Sequence, residues 1–576
     1  MKSLAKYCSS RLVLWLLVLA SLVNVLLPTS QSKHPLSWDA YGYYMYLPAT
    51  FIYQDVSFSF AEKHVQDYML ATNMYHLTSN VKGSPVYPVG CAVLWSPFFA
   101  LAHLYTKISN SAIADGLSTA YSKAIWCAAI FYLWLGLYCL RKFLLHFVSD
   151  SACALTLIAI CIGTNFTYYH SFAPGLSHIY GFAMLSAFLY QYQQYQLSCS
   201  NKNLIVAALA FALAALCRNT EVLLIIVPVL YNLQSKGLSM ASVGPAVKES
   251  GVMLFALGLC YCCFQMPFYW LSCGKFFANG YSNHGFNWLS PQLAYCFFSA
   301  TKGWFVFTPL MLLAVIGIYF LFKQKNTYAF SIVIFMCCIL YITICWDDRS
   351  YGTTYGFRPV VQYYALLALP FALLVERTFA CKAFWRAALL GFLTVCCVLN
   401  LFWIYQFNKG ILLISDMNWA YRKEVALATQ VNNHDKLAIY LPSYSGATLS
   451  KPKLATAIND TIIAYGSASP NFLTYVPVAE ITNIQQQQRF AISLHYSISN
   501  DSFNIDNAAR LVCHAFRGDS TVYWTGIALA EVSNNYARDS ICFTQHIPAC
   551  DKLAVYLWHS TPETIGIWNF RMWKEL

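Results

Sequence analysis

Trp38-Asp39-Ala40-Tyr41-Gly42-Tyr43-Tyr44-Met45-Tyr46-Leu47-Pro48 is the stretch on which the reading of the chain turns. It follows the first hydrophobic run and puts a single carboxylate at the head of an aromatic segment. The pattern predicts a short helix through Tyr46 with Asp39 in its first turn, where the helix dipole favours the ionised carboxyl. A capping acid and a general base both fit such a position, and these residues alone leave the two open.

Working outward, composition sets the environment. The chain has 576 residues, 58% hydrophobic, 17% aromatic and 10% charged, with a mean hydropathy of +0.48. A soluble domain carries about 25% charged residues, and several runs here approach the roughly 20 apolar residues that a spanning helix needs. These values predict an integral membrane protein. The net charge of +12 comes without a dense basic block, which excludes a nucleic-acid reading. Lys and Arg recur instead at segment ends, where they set topology, and an anionic lipid ligand also suits the excess. Of the 22 cysteines, most sit in apolar runs, as Cys260, Cys262 and Cys263 do, and act as small hydrophobes. No CxxC pair stands in a polar loop, so no zinc site is expected. Two of Cys513, Cys542 and Cys550 are candidates to pair if the C-terminal part is outside the cytoplasm.

Lys2, Lys6 and Arg11 precede the apolar run Leu12 to Leu27, read as an uncleaved first helix rather than a signal peptide. The run from Cys91 to Tyr105, broken by Pro97, is read as interfacial, because Arg141 and Lys142 then fall inside. Further spans are expected at Ala124 to Leu140, Ala152 to Tyr168, Leu176 to Tyr192, and Leu204 to Cys217 with Val222 to Leu233 as two short segments joined at Arg218-Asn219-Thr220-Glu221. Gly251 to Tyr269, Trp304 to Phe322, Ala329 to Cys345, Val360 to Leu374 and Ala387 to Trp403 complete about eleven. From about residue 408 alternating runs such as Lys436–Leu441, Phe490–Tyr496, Thr521–Trp524 and Lys552–Leu557 read as strands. A helix over Arg422 to Val431 leads into them. The expected architecture is a polytopic α-helical membrane domain, 1–407, followed by an extracytoplasmic β-rich, sandwich-like domain, 408–576.

Five polar clusters fall on the outer side of this topology. They are Asp39 with Asp55; Asn165 to His170 with Ser177-His178; Arg218 to Glu221; Lys275 through Tyr281, Asn283, His284, Asn287 and Trp288 to Lys302-Gly303-Trp304; and Trp346-Asp347-Asp348-Arg349-Ser350-Tyr351-Gly352 to Arg358. Ionisable groups at membrane depth are costly and mark function, although Arg218 and Glu221 also fit a plain buried ion pair. Aromatic faces suit sugar rings, and Arg and Lys suit phosphate. A carboxylate takes a proton from an acceptor hydroxyl, and a lipid-phosphate leaving group needs no acid when cations hold its charge. Together these parts fit glycosyl transfer from a polyprenyl-phosphate sugar.

The pattern Asp39-x-x-Gly42-Tyr43-Tyr44-x-Tyr46-Leu47-Pro48 after a first span resembles the GT-C superfamily of glycosyltransferases, in the branch of protein mannosyltransferases and lipid A aminoarabinose transferases. Tyr87-Pro88-x-Gly90, then Pro97-Phe98-Phe99 and His103, resemble the same family's juxtamembrane region. Gly163-Thr164-Asn165, Ser177-His178, Lys302-Gly303-Trp304 with Thr308-Pro309, and Tyr351-Gly352-x-x-x-Gly356-x-Arg358 are similar to uncharacterised bacterial members. The resemblance covers about residues 10 to 407. It implies an inverting displacement with Asp39 as base and a polyprenyl-phosphate donor. Lys302, Arg358 and Arg218, in that order, are the expected phosphate binders. Many relatives place two adjacent acids in the first loop; Ala40 follows here, and Asp55 is the near candidate for a second acid. Tyr43, Tyr44, Asp55, Tyr87, His178, His284, Trp288, Arg349 and Tyr351 are the further substrate-contact candidates, with His178 open to phosphate or sugar and Arg349 open to pairing with Asp347 or Asp348.

No cofactor is implied, and Asp347-Asp348 is the one place to recruit a divalent metal. The expected acceptor is a lipid, a glycan or a protein. The expected location is a bacterial inner membrane, with the site and the C-terminal domain on the periplasmic face. A transporter or flippase for a lipid-linked sugar shares the spans, aromatics and cations, but its repeats are not found. A polysaccharide polymerase or ligase would need a carboxylate in the 271–302 loop, which has none. A membrane-anchored binding protein leaves the many intramembrane polar residues without a role.

Overall fold

The computed structural model describes residues 9–26, 35–61, 86–109, 113–237, 239–278, 280, 284–352, 354–413, 417–430, 452–458, 462–464, 474–486, 488–498, 510–528, 538–559 and 565–575. The chain divides into two compact units, Met1–Tyr405 and Gln406–Leu576.

The first unit is helical. Its opening helix α1, Ser10–Leu26, is pinned near both ends. The Ser10 amide donates to Asp150 Oδ2 at 3.0 Å, Arg141 Nε donates to Ser10 Oγ at 2.6 Å, and Asn24 Nδ2 donates to the carbonyl of Ser171 at 2.9 Å. The short helix α2, Asp39–Tyr44, follows, then α3, Gly90–Ser109, and α4, Thr119–Leu144. Next come α5, Asp150–Gly163, capped by the Ser149 hydroxyl, then α6, Phe166–Ser171, and α7, His178–Ser198. Helix α8, Asn201–Cys217, ends where Arg218 turns extended, and a 3₁₀ stretch, Asn219–Ile225, leads into α9, Ile226–Lys236. The two half-length segments expected here are this α8–3₁₀–α9 run.

Among the described residues, four helical segments are long and apolar enough to cross a membrane: Thr119–Leu144, Ala241–Cys273, Arg358–Phe379 and Ala383–Asn408. Their burial sorts them. Arg358–Phe379 is 94% buried across its apolar window and forms the centre of the helical unit. Ala241–Cys273 and Ala383–Asn408 are 22% and 28% buried, so their apolar side chains face outward. Outward-facing Phe255, Leu259, Val395 and Val398 need an apolar surround, and the chain is an integral membrane protein. Helix α3 lies outside these four segments; it packs against α4 and α8.

The Ala241–Cys273 segment begins ten residues before the span expected at Gly251. Lys248, expected in an inner loop, lies with Pro245 and Glu249 within the helix α10, Met240–Cys260. The burial cost of Glu249 is met by hydrogen bonds. Tyr192 and Asn232 donate to Oε2 at 2.7 and 2.8 Å, and Gln196 donates to Oε1 at 3.2 Å. This segment continues through a π turn, Tyr261–Gln265, into α11, Met266–Cys273. The rest of the unit is α12, Leu293–Phe298; α13, Trp304–Phe307; α14, Leu310–Lys323; α15, Ala329–Cys345; a 3₁₀ turn, Arg358–Tyr363, opening α16, Tyr364–Phe379; and α17, Ala383–Asn408.

The second unit starts with α18, Trp419–Glu424, shorter than the helix expected over Arg422 to Val431; its start is fixed by the Asn418 side chain accepting from the Tyr421 amide at 2.8 Å. Val431 and the expected strand Lys436–Leu441 lie outside the described residues. Among the described residues nine strands, β1 (Pro452–Ile458), β2 (Ile462–Ala464), β3 (Thr474–Ile484), β4 (Gln488–Ile498), β5 (Arg510–Arg517), β6 (Ser520–Ala528), β7 (Arg538–Ile547), β8 (Cys550–His559) and β9 (Ile565–Glu575), form two sheets ordered β1-β9-β4-β7, with β2 paired to β9, and β3-β8-β5-β6. Three of the expected runs lie in β4, Gln488–Ile498, β6, Ser520–Ala528, and β8, Cys550–His559. Alternate residues of both sheets, among them Phe490, Ile492, Leu511, Cys513, Val555 and Phe570, meet in one core, as the period-two pattern requires. Cys513 and Cys550 are buried free thiols, and the side chain of Cys542 lies outside the described set.

Close helix contacts rest on glycine. A Cβ at Gly317 in α14 would lie 2.1 Å from the Pro370 carbonyl oxygen of α16, whereas one at Gly391 in α17 would meet nothing within 4 Å. Gly317→Ala is expected to lower stability by about 1–3 kcal/mol through overpacking. Gly391→Ala is expected to be neutral or stabilising through helix propensity. Thermal unfolding of the two variants in the same detergent measures the difference.

Candidate functional site

The site forms where α2 meets the head of the central helix. Trp38, just before α2, takes a positive φ of 55°, an uncommon conformation for a residue other than glycine. The turn delivers Asp39 to the start of α2 while Ala40, Tyr41, Gly42, Tyr43 and Tyr44 are buried. Asp39 Oδ1 accepts from the Tyr87 hydroxyl at 2.9 Å, and Oδ2 accepts from Arg358 Nη1 at 2.7 Å. The side chains of Asp39 and Arg358 are 26% and 18% exposed. Burial pushes the Asp39 carboxyl up. The Arg358 guanidinium, the Tyr87 hydroxyl and the charge of Arg218 outweigh burial and hold it below the usual carboxylate range.

The neighbouring motifs have physical reasons. A Cβ at Gly90 would lie 2.3 Å from the Cys217 backbone nitrogen, so the Tyr87-Pro88-Val89-Gly90 turn abuts the end of α8, next to Arg218. A Cβ at Gly175 would lie 2.6 Å from the Ala40 Cβ and 2.2 Å from the Pro35 carbonyl oxygen. Ala40 is 3% exposed in this contact, which leaves little room for a larger side chain. Gly352, at φ 72°, makes a left-handed turn beside Arg358, and Gly356, at φ 62°, sits against Asn165 and Phe307. The Asn165 side chain accepts from the Tyr364 hydroxyl at 2.7 Å and donates to the Phe357 carbonyl at 3.5 Å, and the Tyr169 hydroxyl donates to the Tyr355 carbonyl at 2.8 Å. The last two bonds tie the loop before Arg358 to α6 and the residue that precedes it, and the first ties α16 there.

Around the ion pair stand Tyr43, Tyr87, Arg218, His178 and Tyr351. The Tyr43 and Tyr87 rings lie 4.7 Å apart, and Ser177 Oγ donates to the Tyr43 hydroxyl at 3.3 Å. Arg218 and Glu221 make no ion pair within 4.0 Å among the described residues. Arg218 Nε and Glu221 Oε2 are buried without a hydrogen-bond partner there. Glu221 Oε1 accepts instead from Gln362 Nε2 at 3.1 Å, and Gln362 Oε1 faces His178 Nδ1 at 2.9 Å. Gln362 was missed because it sits in an otherwise apolar predicted span. A polar side chain at that depth was the available signal.

Other candidates are placed elsewhere. Tyr44 donates to the Gly116 carbonyl, away from Asp39. Asp55 serves its own loop, accepting from the Ser57 amide at 2.9 Å, the Ser59 hydroxyl at 2.6 Å and the Phe60 amide at 3.3 Å. His284 bonds Asp347 at 3.0 Å, and Trp288 stacks on Phe286 at 4.8 Å, so both belong to a turn docked on Trp346. Arg349 lies over the Tyr295 ring at 4.6 Å, with no ion pair to Asp347 or Asp348 among the described residues. Tyr351 stays beside the ion pair, but its hydroxyl donates to the Thr343 carbonyl at 2.6 Å. Tyr281 and Asn283 lie outside the described residues. No group of three His, Cys, Asp or Glu side chains fit to hold a metal occurs among the described residues.

Lys302 is 1% exposed and donates to the carbonyls of Gly352 and Thr354 at 2.8 and 2.5 Å. Two of its three N–H donors thus hold the loop that carries Arg358. Beside Arg218 opens a cavity of about 490 Å³, lined by Leu216, Asn219, Val222, Leu257, Gln265 and Tyr269 among others.

No protein-family model and no curated protein matches the chain. Solved structures resemble it in part. The apo oligosaccharyltransferase of Archaeoglobus fulgidus aligns at 11% identity and TM-score 0.43, over 75% of this chain and 59% of that one. Archaeal oligosaccharyltransferase AglB from Archaeoglobus fulgidus, in complex with an inhibitory peptide and a dolichol-phosphate, aligns at 11% and 0.41, over 75% and 60%. The Archaeoglobus fulgidus oligosaccharyltransferase complexed with Zn and sulfate aligns at 14% and 0.40, over 74% and 57%. The chain therefore spans about three fifths of the length of these structures. At these values the likeness assigns no activity.

Burial, and then the charge of Arg358, push the Lys302 ammonium down to about 7 from its ordinary 10.5. Unfolding restores the higher value, so the unfolded chain binds more protons across that interval and stability rises with pH through it. Wild type is expected to gain stability relative to Lys302→Met between about pH 7 and pH 10.5. Melting temperatures across that range in one detergent test the sign.

Proposed function

We propose that this protein is a GT-C-type glycosyltransferase that moves a sugar from a polyprenyl-phosphate donor to a hydroxyl-bearing lipid, glycan or protein acceptor. The observation that carries the reading is the Asp39 carboxylate held between Arg358 and Tyr87, with Arg218 close by. The resemblance of the Asp39 to Pro48 stretch to GT-C first loops points the same way.

Asp39 is the base. A carboxylate held this acidic is a weak one, which suits a displacement in which the acceptor oxygen loses its proton late. As that oxygen bonds to the anomeric carbon it becomes acidic, and a weak base then takes the proton. Arg358 and Tyr87 fix the carboxylate in place, so little reorganisation accompanies proton transfer. Attack from the face opposite the lipid phosphate inverts the anomeric centre.

The leaving phosphate needs a cation that is not otherwise engaged. Lys302 is committed to two carbonyls and Arg358 to Asp39. Arg218 has a buried Nε without a partner, and its chain neighbours Leu216 and Asn219 line the 490 Å³ cavity, whose apolar lining suits the first isoprene units of a lipid chain. We therefore place Arg218 first among the phosphate ligands, ahead of Lys302. Tyr43, Tyr87 and Tyr351 supply ring faces for the sugar. The site faces the outer side of a bacterial inner membrane in this reading.

Purified protein in lipid is to be incubated with labelled polyprenyl-phosphate sugars, and release of lipid phosphate followed. Asp39→Asn is expected to abolish release per mole of folded protein, even where loss of the Arg358 counter-charge lowers stability, and full turnover by this variant would sink the base assignment. Tyr87→Phe, which removes one hydrogen bond to the carboxylate, is expected to slow turnover by about tenfold. Sugar lipid crossing the bilayer unconsumed would replace the transferase by a flippase.

A further inference from the structure

The buried chain Glu221–Gln362–His178 is not needed to hold Asp39, and it fixes the chemistry of His178. Gln362 lies in the 3₁₀ turn at the head of the central helix. Its Nε2 donates to Glu221 Oε1 at 3.1 Å and to the Pro359 carbonyl at 3.1 Å. A carbonyl oxygen only accepts, so the amide nitrogen must face Pro359 and the amide oxygen must face the other way. That oxygen lies 2.9 Å from His178 Nδ1. An oxygen that only accepts requires a proton on Nδ1. A second proton on the ring would set a cation beside Arg218 and Arg358, whose charges both act on His178. The ring is therefore the neutral Nδ1–H tautomer, and Nε2 carries a lone pair.

His178 is 1% exposed, packs edge-on against Tyr169 at 4.8 Å between ring centroids, and makes no hydrogen bond through Nε2 among the described residues. A lone pair on Nε2 attracts an O–H and repels a phosphate oxygen.

We propose that His178 Nε2 accepts a hydrogen bond from a sugar hydroxyl of the substrate, and that Gln362 and Glu221 are positioning residues that set its tautomer. This excludes the alternative left open by the sequence, a His178 that binds the donor phosphate. It also makes the site selective for a ring bearing a hydroxyl at that position over its deoxy analogue, because the deoxy sugar leaves Nε2 without a partner. The inference rests on the glycosyl-transfer reading for the identity of the ligand, but the tautomer stands without it.

The test has two arms. In the first, full-length protein labelled with ¹⁵N-histidine is placed in lipid nanodiscs, and His178 is assigned by its loss in His178→Gln. One protonated and one unprotonated ring nitrogen are expected, unchanged when polyprenyl phosphate is added. A proton on Nε2, at rest or after that addition, overturns the proposal. Gln362→Leu is expected to mix the tautomers; an unaltered spectrum removes Gln362 as a positioning residue. In the second arm, turnover of polyprenyl-phosphate sugars is compared for variants that keep the wild-type melting temperature. His178→Gln, which retains an acceptor, is expected to lose about tenfold, and His178→Lys, which adds a cation, about a hundredfold. The reverse order means a phosphate ligand and overturns the proposal. A wild type that transfers no sugar refutes the transferase reading, and the spectrum still decides the tautomer.

Discussion

The bond between Arg358 and Asp39 joins residues 319 positions apart and couples the two ends of the helical unit. Arg358 opens the central helix, which is buried along nearly its whole length. Asp39 opens the short helix after the first hydrophobic segment. Neither group is stable there alone. Breaking such a pair by removing one partner leaves a desolvated charge, which is strongly destabilising. Much of the surrounding architecture serves to keep the two charges facing each other.

The loop before Arg358 shows how that is done. Gly352 and Gly356 supply its left-handed turns, Lys302 grips its carbonyls, and Tyr169 and Asn165 bind it to the layer beneath. On the opposite side, the positive φ of Trp38 and the contact of Ala40 with Gly175 fix the direction of Asp39. The motif residues around 302 and 352 hold a cation in place more than they contribute one.

Only part of this was legible beforehand. The hydrophobic runs, the β-rich C-terminal part and the candidacy of Asp39, Arg358, Tyr87 and Arg218 followed from residue type and order. Span boundaries failed where a charged residue found buried partners, as Glu249 did with Tyr192 and Asn232. Loops with convincing composition, such as His284 to Trp288, turned out to be docked on their own neighbours. Composition reports what a side chain is able to do. It does not report which partner already occupies it.

The sequence by itself determined that the chain is a membrane protein with one acid after its first apolar helix and several later cations, because hydropathy and charge spacing are local properties. Tertiary structure alone decided which cation meets that acid. Lys302, Arg218 and Arg358 are equivalent as charges, and only the folded backbone assigns one to two carbonyls, leaves one with an unpartnered buried nitrogen and commits one to Asp39. The role of Gln362 is of the same kind. An amide in an apolar run acquires direction only when a carbonyl and a carboxylate from the fold fix which of its ends donates.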